Sequence, residues 1–233
     1  MNADDPSAGL RRHWQSVYQA RDEVQTSWFR PHLDESLRLI GDLGLPVHLP
    51  VIDVGAGRST LAADLLQAGF SDVTALDLSE AALAHSGARI GDDPRMHWIV
   101  GDVLNAVLPA QHFQLWHDRA VFHFLTDADD RRRYVDAVAH CLRQDGVLML
   151  ATFAADGPAR CSGLETRRYD AAALAGEFSP GFVPVAHSRE IHLTSSGAEQ
   201  PFTCVVLRRK TDATRHPFPL DHTGAADAPE MDS

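Results

Sequence analysis

The sequence predicts a single α/β domain built on a mostly parallel sheet, and three observations carry that expectation. Apolar runs of strand character alternate with segments of helical periodicity between residues 51 and 153, the pattern of a doubly wound sheet. The first run, Val51-Ile52-Asp53-Val54, passes through Gly55-Ala56-Gly57-Arg58 into Ser59-Thr60 and a helix. Strand, glycine turn and helix form one half of a nucleotide-binding crossover. The last two apolar runs, 182–193 and 201–209, have a connection too short for a crossover, so they should pair antiparallel.

The elements follow in order. Residues 1–12 are expected to be flexible. Trp14 and Tyr18 lie four apart, on one face of a short helix starting at His13. Ser27 to Pro31 breaks it, and Pro31 suits the first turn of a second helix, with Leu33, Leu37 and Ile40 as its apolar face. Gly41, Gly44 and Pro46 end that helix. After the first strand, Gly55 and Gly57 let the backbone approach a ligand with no side chain in the way. Ser59 and Thr60 are placed to cap a helix carrying Leu61, Leu65 and Leu66 and closed by Gly69. Val73 to Leu76 is the second strand, ending at Asp77, and Ser79 caps a helix through about Ile90. Met96 to Val100 is the third strand, followed by Gly101-Asp102-Val103. Phe113 to His117 is the fourth, continued by Asp118, Arg119 and a loop containing His123. Asp127 caps a helix carrying Tyr134, Val135, Val138 and Leu142. Gly146 to Phe153 is a near-continuous apolar run, as in a strand buried on both faces. Asp170 caps a short helix through about Phe178, before the two final strands joined by residues 194–200. Residues 211–233 lack periodicity and read as a disordered tail, which leaves 13–210 as the folded domain.

Composition narrows the function. The chain of 233 residues suits one domain with a sizeable core. A formal charge of -11 argues against general nucleic-acid binding, which needs basic surface. No apolar stretch is long enough to cross a membrane, and the polar N-terminus is no secretory signal. Cys141, Cys161 and Cys204 are too far apart for a metal or redox pattern; a reduced cytoplasm is the expected setting. The 13 histidines contain no His-x-x-x-His pair and the carboxylates assemble into no metal-holding cluster, so no metal is expected. Lys210 is the single lysine, which excludes a catalytic lysine in the core of the fold.

Asp-x-Gly-x-Gly at the end of a first strand, here Asp53 to Gly57, resembles the class I S-adenosylmethionine-dependent methyltransferases. A dinucleotide dehydrogenase would usually show Gly-x-Gly-x-x-Gly, but Thr60 occupies the third glycine position. Asp53 would also repel a pyrophosphate, whereas it complements an ammonium group. The resemblance spans about residues 13–209 and implies a Rossmann-like seven-stranded sheet with a C-terminal antiparallel hairpin. It implies S-adenosylmethionine as cofactor, with the methionine part facing Asp53, Gly55, Ala56 and Gly57. Asp77 would accept the ribose hydroxyls, Leu78 would lie against the adenine, Asp102 would accept its amino group, and Gly101 and Val103 would complete that wall. A backbone carbonyl near His117 would hold the methionine ammonium. His117, Asp118 and His123 are candidates for a general base, and Arg119 for orienting an acidic substrate. The alternative is a structural Asp118–Arg119 ion pair and a packed His123.

His13-Trp14-Gln15-Ser16-Val17-Tyr18 and Ser27-Trp28-Phe29 resemble the leading segment of thiopurine-type and methyltransferase-like protein 12 type enzymes. That resemblance implies an aromatic lid in which Trp14 and Trp28 cover the cofactor; otherwise the two tryptophans only anchor the first helix. The Asp/Asn-Pro-Pro-Tyr/Phe pattern of nucleobase amino-methyltransferases and the Pro-Cys of cytosine C5 enzymes are both absent. The reading is methyl transfer to a nucleophile, most simply on a small molecule, with a protein lysine as the alternative acceptor. The rival classes are an NAD(P)-dependent oxidoreductase and a non-catalytic cofactor-binding interaction protein. The first calls for a glycine at position 60 and a Tyr-x-x-x-Lys pair, which the chain lacks; the second calls for damage at Asp53, Gly55, Gly57 or Asp77, all of which are intact.

Overall fold

The computed structural model describes residues 7–20 and 22–211. Its centre is a seven-stranded sheet of β1 (Val51–Val54), β2 (Val73–Asp77), β3 (Met96–Val100), β4 (Phe113–Arg119), β5 (Leu142–Phe153), β8 (Phe182–Leu193) and β9 (Glu199–Arg209). The strand order is β3-β2-β1-β4-β5-β9-β8. The first five strands pair in parallel; β9 pairs antiparallel with both β5 and β8. This is the expected sheet with its closing hairpin. A two-stranded hairpin, β6 (Arg160–Cys161) and β7 (Leu164–Glu165), was not expected: two-residue strands are too short to show alternation.

Helices cover both faces. On one, α2 (Asp34–Asp42), α3 (Leu61–Gln67) and α4 (Glu80–Ile90) bury Leu39, Ile40, Leu61, Leu65 and Leu83 against Val51, Met149 and Val206. On the other, α5 (Ala128–Cys141) and α6 (Ala171–Glu177) bury Tyr134, Val138 and Leu174 against Ile52, Trp116 and Leu148. Strand residues alternate between the two clusters because successive side chains point to opposite faces. The caps at Ser79, Asp127 and Asp170 form as expected, each side chain accepting a backbone N–H of the first turn.

Several boundaries differ from the sequence reading. Helix α1 (Ser7–Ala20) begins before His13, so residues 7–12 are helical; residues 1–6 and the tail from 212 lie outside the described residues. Pro31 precedes α2 by three residues, because its carbonyl accepts Thr60 Oγ1 at 2.9 Å and holds the segment outside the helix. Thr60 therefore does not cap α3, whereas the Ser59 hydroxyl accepts Leu61 N–H at 3.0 Å. Strand β5 starts at Leu142 rather than Gly146 because Leu142 pairs with Phe113 across an irregular register.

The most consequential difference is that β4 runs to Arg119, pairing Arg119 with Ala151. Asp118 thereby becomes a strand residue with Trp116 on its face, opposite to His117 and Arg119. It is fully buried; the Tyr134 hydroxyl donates to its Oδ2, and Tyr134 accepts Trp116 Nε1–H at 2.9 Å. Tyr134→Phe leaves a buried indole N–H and a buried carboxyl oxygen short of a partner. The expected loss is about 1–3 kcal/mol in urea unfolding; an unchanged midpoint would show that these bonds are dispensable.

Candidate cofactor and acceptor site

In an open α/β sheet, ligands bind beyond the carboxyl ends of the strands. Here those ends border a cleft of about 980 Å³ including its open mouth. Its walls include Gly55, Asp77, Leu78, Gly101, Asp102 and Val103 on one side, and Arg119, Phe153, Cys161, Gln200 and Phe202 on the other. Leu10, Trp14, Tyr18 and Trp28 form its roof. A second chamber adjoins it around the glycine turn, lined by Asp53, Gly55, Ala56, Gly57, Arg58, His117 and Arg119, among others.

The turn owes its shape to two positions. Gly55 has φ +68°, and a Cβ placed there would lie 2.0 Å from Val121 Cγ2. Gly57 has φ +54°, and its Cβ would lie 2.5 Å from the Tyr18 hydroxyl. Both a left-handed backbone and close neighbours therefore exclude side chains here.

Asp77 ends β2 and is buried. Its Oδ2 accepts Gly57 N–H at 2.9 Å and its Oδ1 accepts Ser79 N–H at 2.8 Å. Each carboxylate oxygen has a further lone pair for a ligand. Burial raises its pKa to about 6, against the lowering effect of the two backbone donors. Asp102 lines the cleft after β3, where Leu104 N–H and the Asn105 amide donate to its two oxygens at 3.0 Å each.

Asp53 is buried at the glycine turn, with Oδ1 2.6 Å from His117 Nδ1. A carboxylate only accepts, so Nδ1 carries the proton. The other ring nitrogen of His117 is 2.9 Å from Ser36 Oγ. Both nitrogens of His117, a candidate general base in the sequence, are thus engaged. Asp53 Oδ2 is buried without a hydrogen-bond partner. An acceptor oxygen held in this state fits the ammonium group of an amino-acid ligand.

The other two base candidates do not line either chamber. Asp118 faces α5, as described, and its carboxylate also accepts Val121 and Phe122 N–H, shaping the loop after β4. Burial raises its pKa to about 6. His123 is fully buried, with its ring 4.4 Å from Phe124 and 4.6 Å from Phe153. Its Nδ1 accepts Phe153 N–H at 3.3 Å, and burial lowers its pKa to about 3. Arg119, by contrast, lines both chambers. No Asp118–Arg119 pair forms, because neighbouring strand residues point to opposite faces.

The roof is made by contacts that sequence spacing does not reveal. The Trp14 ring lies 5.9 Å from Trp28 and 5.2 Å from Phe124, edge on. Gln15 Oε1 accepts the Ser79 hydroxyl at 2.9 Å, fastening α1 to the start of α4. Arg58 donates to the Tyr18 carbonyl, and its guanidinium lies 5.5 Å from the Tyr18 ring centre. Tyr18, Gln15 and Arg58 were missed as site residues; the helical spacing of Trp14 and Tyr18 was the one available signal.

Comparison with known proteins agrees with this geometry. A family model described as a methyltransferase domain matches residues 51–146. Human EEF1A lysine methyltransferase 2 is 27% identical over 165 residues, covering 63% of this chain and 69% of that protein. The structure of Burkholderia thailandensis 1,6-didemethyltoxoflavin-N1-methyltransferase, with 1,6-didemethyltoxoflavin and S-adenosylhomocysteine bound, superposes with a TM-score of 0.69 at 25% identity. That match covers 91% of this chain and 93% of the other. A structure from work on the conversion of a disulfide bond into a thioacetal group during echinomycin biosynthesis shares the fold, with a TM-score of 0.71 at 18% identity, covering 88% and 94% of the two chains. The protein is a class I S-adenosylmethionine-dependent methyltransferase, and S-adenosylmethionine is its cofactor. Among the described residues, no helix is long and apolar enough to cross a membrane.

The raised pKa of Asp77 gives a pH test. Between about pH 4 and pH 6 the folded chain holds a proton on this group that the unfolded chain has released. Stability therefore falls as pH rises through that window, by up to ~1.4 kcal/mol per pH unit for one group. Asp77→Asn should flatten the fall in chemical denaturation series from pH 4 to pH 7; an identical slope would show that Asp77 titrates normally.

Proposed function

We propose that the enzyme methylates a small molecule, with the cofactor held along the strand ends in the order the sequence suggests. Asp102, Gly101, Val103 and Leu78 take the adenine, Asp77 takes the ribose, and Asp53 with the turn from Gly55 to Gly57 takes the amino-acid end. The bound cofactor supplies a methyl group already activated on a sulfonium. What remains for the residues of this chain is to position the acceptor and exclude water. The carboxylates Asp53, Asp77 and Asp102 in the chamber walls are assigned to the cofactor, and Glu23 is held by His85 and Arg89, so the acceptor should enter with its nucleophile already deprotonated.

The observation that carries the small-molecule reading is the roof. Leu10, Trp14 and Tyr18 of α1 and Trp28 of the following segment extend over the strand ends, and Gln15 holds α1 to α4. A roofed aromatic cleft suits a compact acceptor. A lysine acceptor is supported by the named activity of the human relative, and is therefore the second reading. The domain assignment follows, with the expected 13–210 unit extended to take in all of α1 from Ser7, and with the N-terminal aromatic segment as its lid.

The enzyme incubated with methyl-labelled cofactor and cell extract separates the two readings. Label in a new acid-soluble product, separated from the cofactor by chromatography, is expected; product label confined to precipitated protein would favour lysine. For the cofactor site, calorimetry should show Asp77→Ala losing at least tenfold in S-adenosylhomocysteine affinity, and Trp14→Ala about tenfold, or ~1.4 kcal/mol. Wild-type affinity in both variants would overturn these assignments.

A further inference from the structure

The lining of the cleft changes sign along the sheet. Asp102, Asp77 and Asp53 stand at or beside the ends of β3, β2 and β1, and Arg119 stands at the end of the next strand, β4. Beyond it, β5 and β9 contribute Phe153 and Phe202, which face each other in register. The cofactor assignments occupy the acidic part of this series. Arg119 and the two phenylalanines therefore border the space left for the acceptor, together with Cys161 and Gln200.

Arg119 is unusual in that position. Its side chain is 7% exposed, yet neither Nε nor Nη2 has a hydrogen-bond partner. Its guanidinium lies 4.3 Å from the centre of the Phe202 ring, an attraction that does not use the N–H donors. The carboxylate paired with it, Glu190, has Oε1 3.8 Å from Nη2, beyond hydrogen-bond reach. Arg30 holds that same oxygen at 2.8 Å. Two guanidinium groups thus share one carboxylate, leaving a positive charge uncompensated in a buried place, which is costly unless an anion joins it. Nε–H and Nη2–H lie on one edge of the guanidinium, the edge that pairs side-on with a carboxylate.

We propose that Arg119 binds the ionised acid group of the methyl acceptor, so that the acceptor is an aromatic or conjugated carboxylic acid with its apolar body against Phe153 and Phe202. This rests on the small-molecule reading given above. A carboxylate has one other source here, the amino-acid end of the cofactor itself. That end is assigned to the glycine-turn chamber, where Arg30 and Arg58 also form part of the wall. A lysine ammonium would meet the positive charge of Arg119 and be repelled.

The test is calorimetry on full-length protein saturated with S-adenosylhomocysteine, titrated with cinnamate and with its neutral amide, cinnamamide. The wild type should bind cinnamate at least tenfold more tightly than the amide. Arg119→Gln should erase that preference while its affinity for S-adenosylhomocysteine stays within threefold. Arg119→Lys keeps the charge but loses the two-donor edge, so it should retain only part of the preference, and it serves should Arg119→Gln fail to fold. No preference in the wild type, or an equal preference in both variants, overturns the proposal. A tenfold loss of S-adenosylhomocysteine affinity in Arg119→Gln, with the preference intact, assigns the arginine to the cofactor carboxylate and overturns it too. A wild type that fails to bind S-adenosylhomocysteine at all would remove the cofactor assignment on which the proposal stands.

Discussion

The hydrogen bond between Asp53 and His117 organises the cleft. The two residues face each other in register on β1 and β4, the strands on either side of the point where the chain reverses its winding. His117 takes one carboxylate oxygen, and Ser36 of α2 occupies the other ring nitrogen. The carboxylate is thereby fixed with its second oxygen unpaired and directed to the chamber around the glycine turn. A buried acceptor without a partner costs stability, and such a cost is expected where a ligand supplies the missing donor. Both ring nitrogens of His117 are engaged, one by this bond and the other by Ser36.

The other parts of the site follow from this fixed centre. Gly55 and Gly57 bring the backbone close enough for Val121 and Tyr18 to seal the turn. Asp77 joins the first crossover to the second by accepting an N–H from each. Gln15 extends that junction to the roof through Ser79. One chain of contacts therefore runs from Asp77 to the aromatic roof. Asp118 accepts Val121 and Phe122 N–H and so shapes the start of the loop after β4.

Much of this was legible in the sequence because it is local. A parallel sheet places every strand end on one edge, so Asp53, Asp77 and Asp102 could be aligned from strand order alone. The caps at Ser79, Asp127 and Asp170 depend on residues three positions away. What stayed hidden depends on distant partners or on parity. Asp53 and His117 are 64 positions apart, and Glu190, which Arg30 and Arg119 share, comes from the final hairpin. Ending β4 at His117 left Asp118 and Arg119 in a loop with no assigned side. Two further strand residues send one into the core and the other into the cleft. The start of α1 at Ser7 was missed because its first turns carry a single large apolar residue, Leu10, before Trp14.

The central claim is that Asp53 is held by His117 in order to receive the ammonium group of the cofactor. Calorimetric titration of wild type and Asp53→Asn with S-adenosylhomocysteine and with 5′-deoxy-5′-methylthioadenosine, which lacks the amino-acid end, tests it most directly. The expected result is at least tenfold weaker binding of S-adenosylhomocysteine to the variant, with methylthioadenosine unaffected. Equal weakening of both ligands, or of neither, would contradict the claim and leave Asp53 as a structural residue only.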